Sequence, residues 1–293
     1  MENRVKVQRD TIESFDRRWY INGKEAVVSI NDADITASMK RTRRYYKDDL
    51  VKRYHNAGLM KYAETDTFIV QDDCLEVGMF FRSVGYNPVV LNMANAVHPG
   101  GGYKNGDSAQ EESLFRRTNL HLCLDSQRTR LYPIPKRGAI YTPNAIVIKH
   151  SEFEDHRPLD GPKQICFISA AAHRCGKDDT IDIDGTKILT EEIEILTKNK
   201  IDSIFEVAAI EHHDVLILSA FGCGAFGNPP RCIAKLFKDA LNRYKRHFRY
   251  IIFAIFDDKN ALVNNKEGNV KVFSEMLSLP VLTYADLVTV VCK

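Results

Sequence analysis

The residues best placed to do chemistry lie between Asn95 and Glu112, in the run N-A-V-H-P-G-G-G-Y-K-N-G-D-S-A-Q-E-E. Gly100, Gly101 and Gly102 remove every Cβ from one side of the backbone and tolerate positive φ, so a ligand can approach the main chain closely. After seven intervening residues, Gln110, Glu111 and Glu112 open a segment whose Leu114, Phe115, Leu120, Leu122 and Leu124 suit a partly buried helix. Two carboxylates therefore sit where unpaired backbone amides gather. Taken singly, the glycines could form a flexible surface loop, and the Glu pair could merely complement the positive end of a helix. A second stretch, F-G-C-G-A-F-G-N-P-P from Phe221 to Pro230, repeats the theme. Gly222, Gly224 and Gly227 bare the backbone again, and Pro229 or Pro230 suits the first turn of a following helix. A strand, a glycine loop and a helix start make a cradle for phosphate, because free amides and the helix dipole both favour an anion. The stretch lacks the lysine of a P-loop and the spacing G-x-G-x-x-G. Phe226, flanked by small residues, reads as a ring held at the site, with core packing as the alternative. Cys223 has no histidine partner signature and reads as a small residue that fits the loop.

The elements that must hold these loops follow from the apolar pattern. Pro88 to Met93, entered from Gly85-Tyr86-Asn87, is a short β-branched run typical of a buried strand, and it delivers the glycine triplet. Asp214 to Ala220 is a continuous apolar run, as in a strand covered on both faces, and it delivers the second loop. Further strands are expected at Phe68–Val70, Ala139–Ile148, Ile165–Ala170 and Tyr250–Phe256, the last ending at Asp257-Asp258. Helical spacing covers Ile188 to Ala209, and a closing helix around Val270 to Leu277 follows Asn264-Asn265. The charged, proline-bearing stretch from Glu152 to Pro162 reads as a surface loop. From Thr67 onward, strand and helix alternate, which indicates an α/β fold. Residues 1 to about 70 read as two helical pieces around an extended Glu25–Asn31. The second piece carries Lys40, Arg41, Arg43, Arg44 and Lys47 interleaved with Tyr45 and Tyr46. Such a cluster is ordinarily a solvated helix face; its functional alternative is steering of an anionic polymer.

Forty-one Lys plus Arg against thirty-nine Asp plus Glu leave a formal charge of +2, so no global field marks a nucleic-acid binder. The seven cysteines are odd in number and scattered, with no C-x-x-C pair, which suits reduced thiols in an intracellular protein. His98, His212 and His213 fit no metal-ligand spacing. Met1 to Tyr20 is too charged for a secretory signal, and no apolar stretch is long enough to span a membrane.

The arrangement G-G-G, seven residues, Q-E-E resembles the signature of poly(ADP-ribose) glycohydrolases, specifically the shorter microbial type, which are built on a macrodomain. The Phe221–Pro230 stretch resembles the diphosphate loop of the same family. His98-Pro99 before the glycines suits the microbial type and departs from the longer animal enzymes. The resemblance implies an α/β, macrodomain-like three-layer α/β/α architecture with a mixed central sheet. It also implies a mainly helical N-terminal accessory region, residues 1–66, with Asp10-Thr11, Thr42 and Tyr45 in its resembling part. That region would pack on a catalytic domain of residues 67–293. The implied reaction is hydrolysis of the ribose–ribose O-glycosidic bond to release ADP-ribose, with Glu112 as general acid and then base. Glu111, which cannot share a helix face with its neighbour, would bind ribose hydroxyls together with Asn95. Gly100, Gly101, Gly102 and Gln110 would bind the substrate from the first loop. Gly222, Cys223, Gly224, Ala225, Gly227 and Asn228 would hold the diphosphate, with Phe226 against the terminal ribose. Phe256 would meet adenine, although a core position is an equal reading. No metal or organic cofactor is implied. The expected partners are poly(ADP-ribose) or ADP-ribosylated proteins, without direct nucleic-acid or membrane binding, in a cytoplasmic or nuclear setting. Two alternatives stand beside this reading: a macrodomain that binds ADP-ribose without cutting it, and a hydrolase of mono-ADP-ribosylated protein. The Gln110-Glu111-Glu112 run, which a pure binder has no need of, favours the glycohydrolase.

Overall fold

The computed structural model describes residues 2–56, 61–257, 262–263 and 265–292; Asp258 and Asn264 lie outside them. The N-terminal region runs through helix α1 (Glu2–Arg17), the hairpin β1 (Trp19–Ile21) and β2 (Val27–Ser29), helix α2 (Asp32–Arg41), strand β3 (Arg43–Tyr46) and helix α3 (Lys47–Asn56). Then follow β4 (Asp66–Val70), α4 (Cys74–Ser83), β5 (Pro88–Met93), α5 (Gln110–Arg117), α6 (Leu120–Cys123), α7 (Arg128–Leu131), β6 (Gly138–Lys149) and β7 (Pro158–Ala170). The remainder is the hairpin β8 (Thr180–Ile183) and β9 (Thr186–Leu189), α8 (Glu191–Ile210), β10 (Val215–Leu218), α9 (Pro230–Tyr244), β11 (Tyr250–Ala254), α10 (Asn269–Leu277), β12 (Val281–Leu282) and α11 (Tyr284–Val291).

Eight strands form one mixed sheet in the order β12-β4-β11-β10-β5-β7-β6-β3. The six from β12 to β7 are parallel, while β6 and β3 are antiparallel to their neighbours. Parallel pairing places the carboxyl ends of β4, β11, β10, β5 and β7 along one rim, the position at which open α/β sheets hold ligands. The period of two sorts the strands' side chains between two cores. Val89, Leu91, Leu216, Leu218, Ile251 and Phe253 face α8, α9 and α10. Val90, Val215, Ile217 and Ile252 face α4 and α5. Both faces are thus covered, which is why these strands read as continuous apolar runs rather than alternating ones. The result is the expected macrodomain-like sandwich.

The N-terminal region is tied to this sandwich in two ways. Thr11 Oγ1 donates to the Arg116 carbonyl on α5 at 2.5 Å, and Lys149 Nζ reaches Thr11 Oγ1 at 2.6 Å and Asp10 Oδ2 at 2.8 Å. A third apolar cluster joins Phe15, Tyr20, Ile30 and Ile35 to Ile146 and Ile148 of β6. The basic stretch is not one helix. Thr42 leaves helical conformation (φ −61°, ψ 127°), and Arg43–Tyr46 becomes the edge strand paired with Gly138–Tyr141. Arg43 turns inward to Glu211, and Tyr45 is buried. Part of the expected Glu152–Pro162 loop is strand as well, because β7 already starts at Pro158 and pairs with Lys149. The β8–β9 hairpin and the closing β12–α11 pair escaped the sequence pattern, being short and largely exposed.

Candidate active site

Strand β5 ends at Met93, and the loop that follows folds back onto the first turn of α5. Three consecutive side chains of that turn hold it. Gln110 Oε1 accepts the Met93 N–H at 2.8 Å, and its amide donates to the Leu91 carbonyl at 2.6 Å. Glu111 accepts the N–H of Asn95 at 2.7 Å on one oxygen and that of Gly100 at 3.0 Å on the other. Glu112 Oε1 accepts the N–H of Gly102 at 3.0 Å. The start of the helix thus serves as a comb of acceptors, and the loop amides fit onto it.

The glycine triplet is required by this packing. Gly101 has φ +53°, and a Cβ there would lie 2.3 Å from Glu112 Oε1; Gly100 has φ +75°, and its Cβ would lie 2.5 Å from the Tyr103 ring. At Gly102 a Cβ would lie 2.0 Å from Asp107 Oδ2. Any larger residue at Gly101 displaces the carboxylate beneath it. Glu112 is buried, yet its Oε2 has no partner among the described residues. One oxygen is therefore fixed and the other is available, an arrangement suited to giving or taking a proton at a bound ligand.

Glu111 sits deeper, and burial pushes its carboxyl up to about 8 against the opposing pull of the Asn95 and Gly100 amides. The sequence reading aimed Glu111 and Asn95 at ribose hydroxyls. In the structure both Glu111 oxygens are taken by loop amides, and Asn95 Oδ1 accepts the N–H groups of Val97 and His98, each at 2.9 Å. Gln110 is likewise occupied in holding β5.

The second loop leaves β10, the neighbour of β5, so both glycine loops open on the same rim. Gly222 (φ +75°) leaves no room for a Cβ, which would lie 2.6 Å from Asn228 Nδ2 and 2.7 Å from Ala172. The Asn228 amide closes the loop by donating to the carbonyls of His173 at 2.7 Å and Gly222 at 3.1 Å. Cys223 is fully buried, and burial pushes its thiol well above its ordinary range. Gly224, Ala225 and Gly227 lie at the loop's open side. Phe226 is half-buried and packs on the α8–α9 core, which fixes the loop from behind. Pro230 opens α9, as its sequence position suggested. Phe256 follows β11, the next strand along the rim. It is 48% exposed and its ring centroid lies 4.6 Å from that of Phe153, so the core alternative does not apply.

Comparison with solved structures finds the same architecture in poly(ADP-ribose) glycohydrolase (PARG) from Thermomonospora curvata, with a TM-score of 0.80 at 24% identity over 94% of this chain and 100% of that one. The same enzyme bound to the inhibitor ADP-HPD gives 0.77 over 94% and 99%. PARG from Deinococcus radiodurans in complex with ADP-ribose gives 0.70 at 20% identity over 85% and 99%. Among curated proteins none matches the sequence. Residues 8–150 match the family model of the microbial-type PARG catalytic domain. That segment is similar to the microbial-type PARG catalytic domain. It contains the entire comb of Gln110, Glu111 and Glu112 and the loop it holds, so the PARG signature and the site geometry coincide.

What the PARG motif alone did not reveal is its support. Arg117 is fully buried and binds Asp73 with two bonds of 2.9 Å and Glu76 with one of 2.8 Å, locking α5 to the start of α4. The Asp72-Asp73 pair ahead of an apolar run was the available signal, since Asp73 caps α4. Glu76, His150 and Glu154 bring one ligand atom each within 4.8 Å of one another. Glu76 already receives Arg117 and the Ser151 N–H at 2.9 Å, and His150 Nδ1 lies 3.2 Å from it, so the group forms an ion-pair cluster outside the PARG loops.

Proposed function

We propose that this chain cleaves the ribose–ribose O-glycosidic bond of poly(ADP-ribose) with Glu112 as the catalytic group, releasing ADP-ribose. The observation that carries the assignment is the divided state of Glu112: Oε1 is fixed by Gly102, and Oε2 is buried without a partner among the described residues. The protonated carboxyl donates to the departing ribose oxygen as the glycosidic C–O bond breaks, and positive charge develops on the remaining sugar. The carboxylate left behind takes a proton from water as that water adds to the sugar carbon. One residue serves in both steps, and the sum is one water consumed per ADP-ribose released. Glu111 is no second nucleophile in this scheme, because both its oxygens are engaged by loop amides. It is a positioning residue that acts through the loop. The glycine loop after β10 supplies amides for the substrate diphosphate, whose charge lies close to the developing cation. Phe226 backs that loop, and Phe256 offers an exposed face to a base. The relatives of known structure hold ADP-ribose or its analogue, which supports the same ligand class here.

Glu112→Gln keeps the shape and removes the proton. Its ADP-ribose release from polymer should fall by about a hundredfold or more while ADP-ribose affinity, measured by calorimetry, is retained. A wild-type protein that binds ADP-ribose and never shortens the polymer would replace this reading with that of a binder. Release only from singly modified protein would replace it with that of a mono-ADP-ribosyl hydrolase.

A further inference from the structure

The net charge of +2 conceals a local concentration of cations that begins at the glycine loop. His98, exposed in the loop held by Glu111, has its Nδ1 3.3 Å from Arg128 Nη2. Arg128 and Arg130 are exposed on α7, and Arg130 donates to the Thr42 carbonyl at 2.9 Å. Thr42 ends α2, whose last turn carries the exposed Lys40 and Arg41. Arg44 of β3 donates to the Leu131 carbonyl at 3.2 Å, and its guanidinium lies 4.6 Å from the centre of the Tyr46 ring, which is 45% exposed. Lys47 follows directly.

A hydrogen-bonded path thus joins the catalytic loop to α7, to the end of α2 and to the β3 edge. Among the described residues no carboxylate pairs with Lys40, Arg41, Arg44, Lys47, Arg128 or Arg130. Of the acids nearby, Asp125 is committed to Lys104 and Tyr103, each at 2.9 Å, and Asp49 to the Tyr46 N–H at 3.0 Å. Asp48 follows Lys47, and Asp34 lines a cavity with Arg41, without an ion pair to these cations among the described residues. Cations left without an acidic partner raise the local positive potential, and an arginine-backed exposed tyrosine is a platform on which a base can stack.

We propose that this surface is a track for the polymer beyond the bond being cut, with diphosphates on Arg128, Arg130, Lys40 and Arg41 and an adenine on Tyr46. The inference rests on the glycohydrolase reading and deepens it: the enzyme would hold several units of a chain that repeats anionic and aromatic groups. Glu112 and the two glycine loops grip only the unit to be released. The track sets apparent affinity for long chains, and it contributes nothing to ADP-ribose itself.

The test compares wild type with Lys40→Gln/Arg41→Gln/Arg128→Gln, whose altered side chains hold no backbone group, and with Arg128→Glu alone. Substrates are two-unit and long end-labelled poly(ADP-ribose), with direct polymer binding read by fluorescence anisotropy. The triple variant should raise KM and Kd for the long chain about tenfold or more. It should leave kcat, the two-unit KM and ADP-ribose affinity within about twofold, and it should lower the salt slope of log Kd by about two units. Equal KM values on long chains, or equal losses on both lengths, overturn the track. Single-stranded RNA of matched charge competing as well as polymer would overturn the assignment of poly(ADP-ribose) as occupant. A wild type that releases no ADP-ribose defeats the catalytic reading, while the anisotropy arm still decides the track.

Discussion

Glu111 carries a cost that its neighbour's role conceals. It is buried among loop amides, and burial raises its carboxyl from 4.5 to about 8. Between those values the folded protein keeps a proton that the unfolded chain has released. Stability should therefore fall as pH rises through about 4.5 to 8 and level off above. The urea midpoint measured across that range should show the decline in wild type, on the order of a few kcal/mol at most, and a flatter profile in Glu111→Gln. A wild-type midpoint rising over the same range would contradict the buried, proton-holding state. Nothing in the letters Glu-Glu distinguishes this residue from Glu112. The distinction comes from the helix turn, which sends one side chain down onto Asn95 and Gly100 and the other toward Gly102 and the open rim.

At the scale of elements, the site depends on where α5 lies, and Arg117 sets that position against α4. Removing its charge leaves Asp73 and Glu76 facing each other across a buried gap. Arg117→Met should lower stability by about 3–5 kcal/mol in urea denaturation. The loss of activity should follow the unfolded fraction rather than precede it. This contact also shows where sequence reading stops. The glycine triplet, the Gln-Glu-Glu run and the strands feeding both loops were legible because each is local: periodicity of two, turn residues and a helix start. Arg116 and Arg117 were not, because two adjacent arginines ending an amphipathic helix read as solvated, and both are fully buried. Their burial depends on partners over a hundred residues away on α1 and some forty residues away on α4. The β3 strand failed for the same reason: R-R-Y-Y becomes a strand only because β6 offers an edge.

For the molecule as a whole, residues 1–66 were expected as an accessory region packed on the rest, and that division remains our proposal. Its footprint is large, since β3 covers the β6 edge and Tyr45 and Leu50 enter the core behind α8. Deleting residues 2–66 should therefore yield protein that aggregates rather than a smaller soluble enzyme, as sedimentation of the expressed fragment would show. A soluble, active 67–293 fragment would make the region dispensable. The acceptor comb on α5 has a further meaning for the motions of the folded chain. A loop with three consecutive glycines invites the expectation of rapid amide-proton exchange with solvent, yet the amides of Asn95, Gly100 and Gly102 end on side chains of a buried helix. Their protons should exchange at the slow pace of the sheet interior, so that a deuterium clock would count this loop as part of the core. Glu112→Ala should set Gly102 alone ticking faster, leaving Asn95 and Gly100 slow under Glu111.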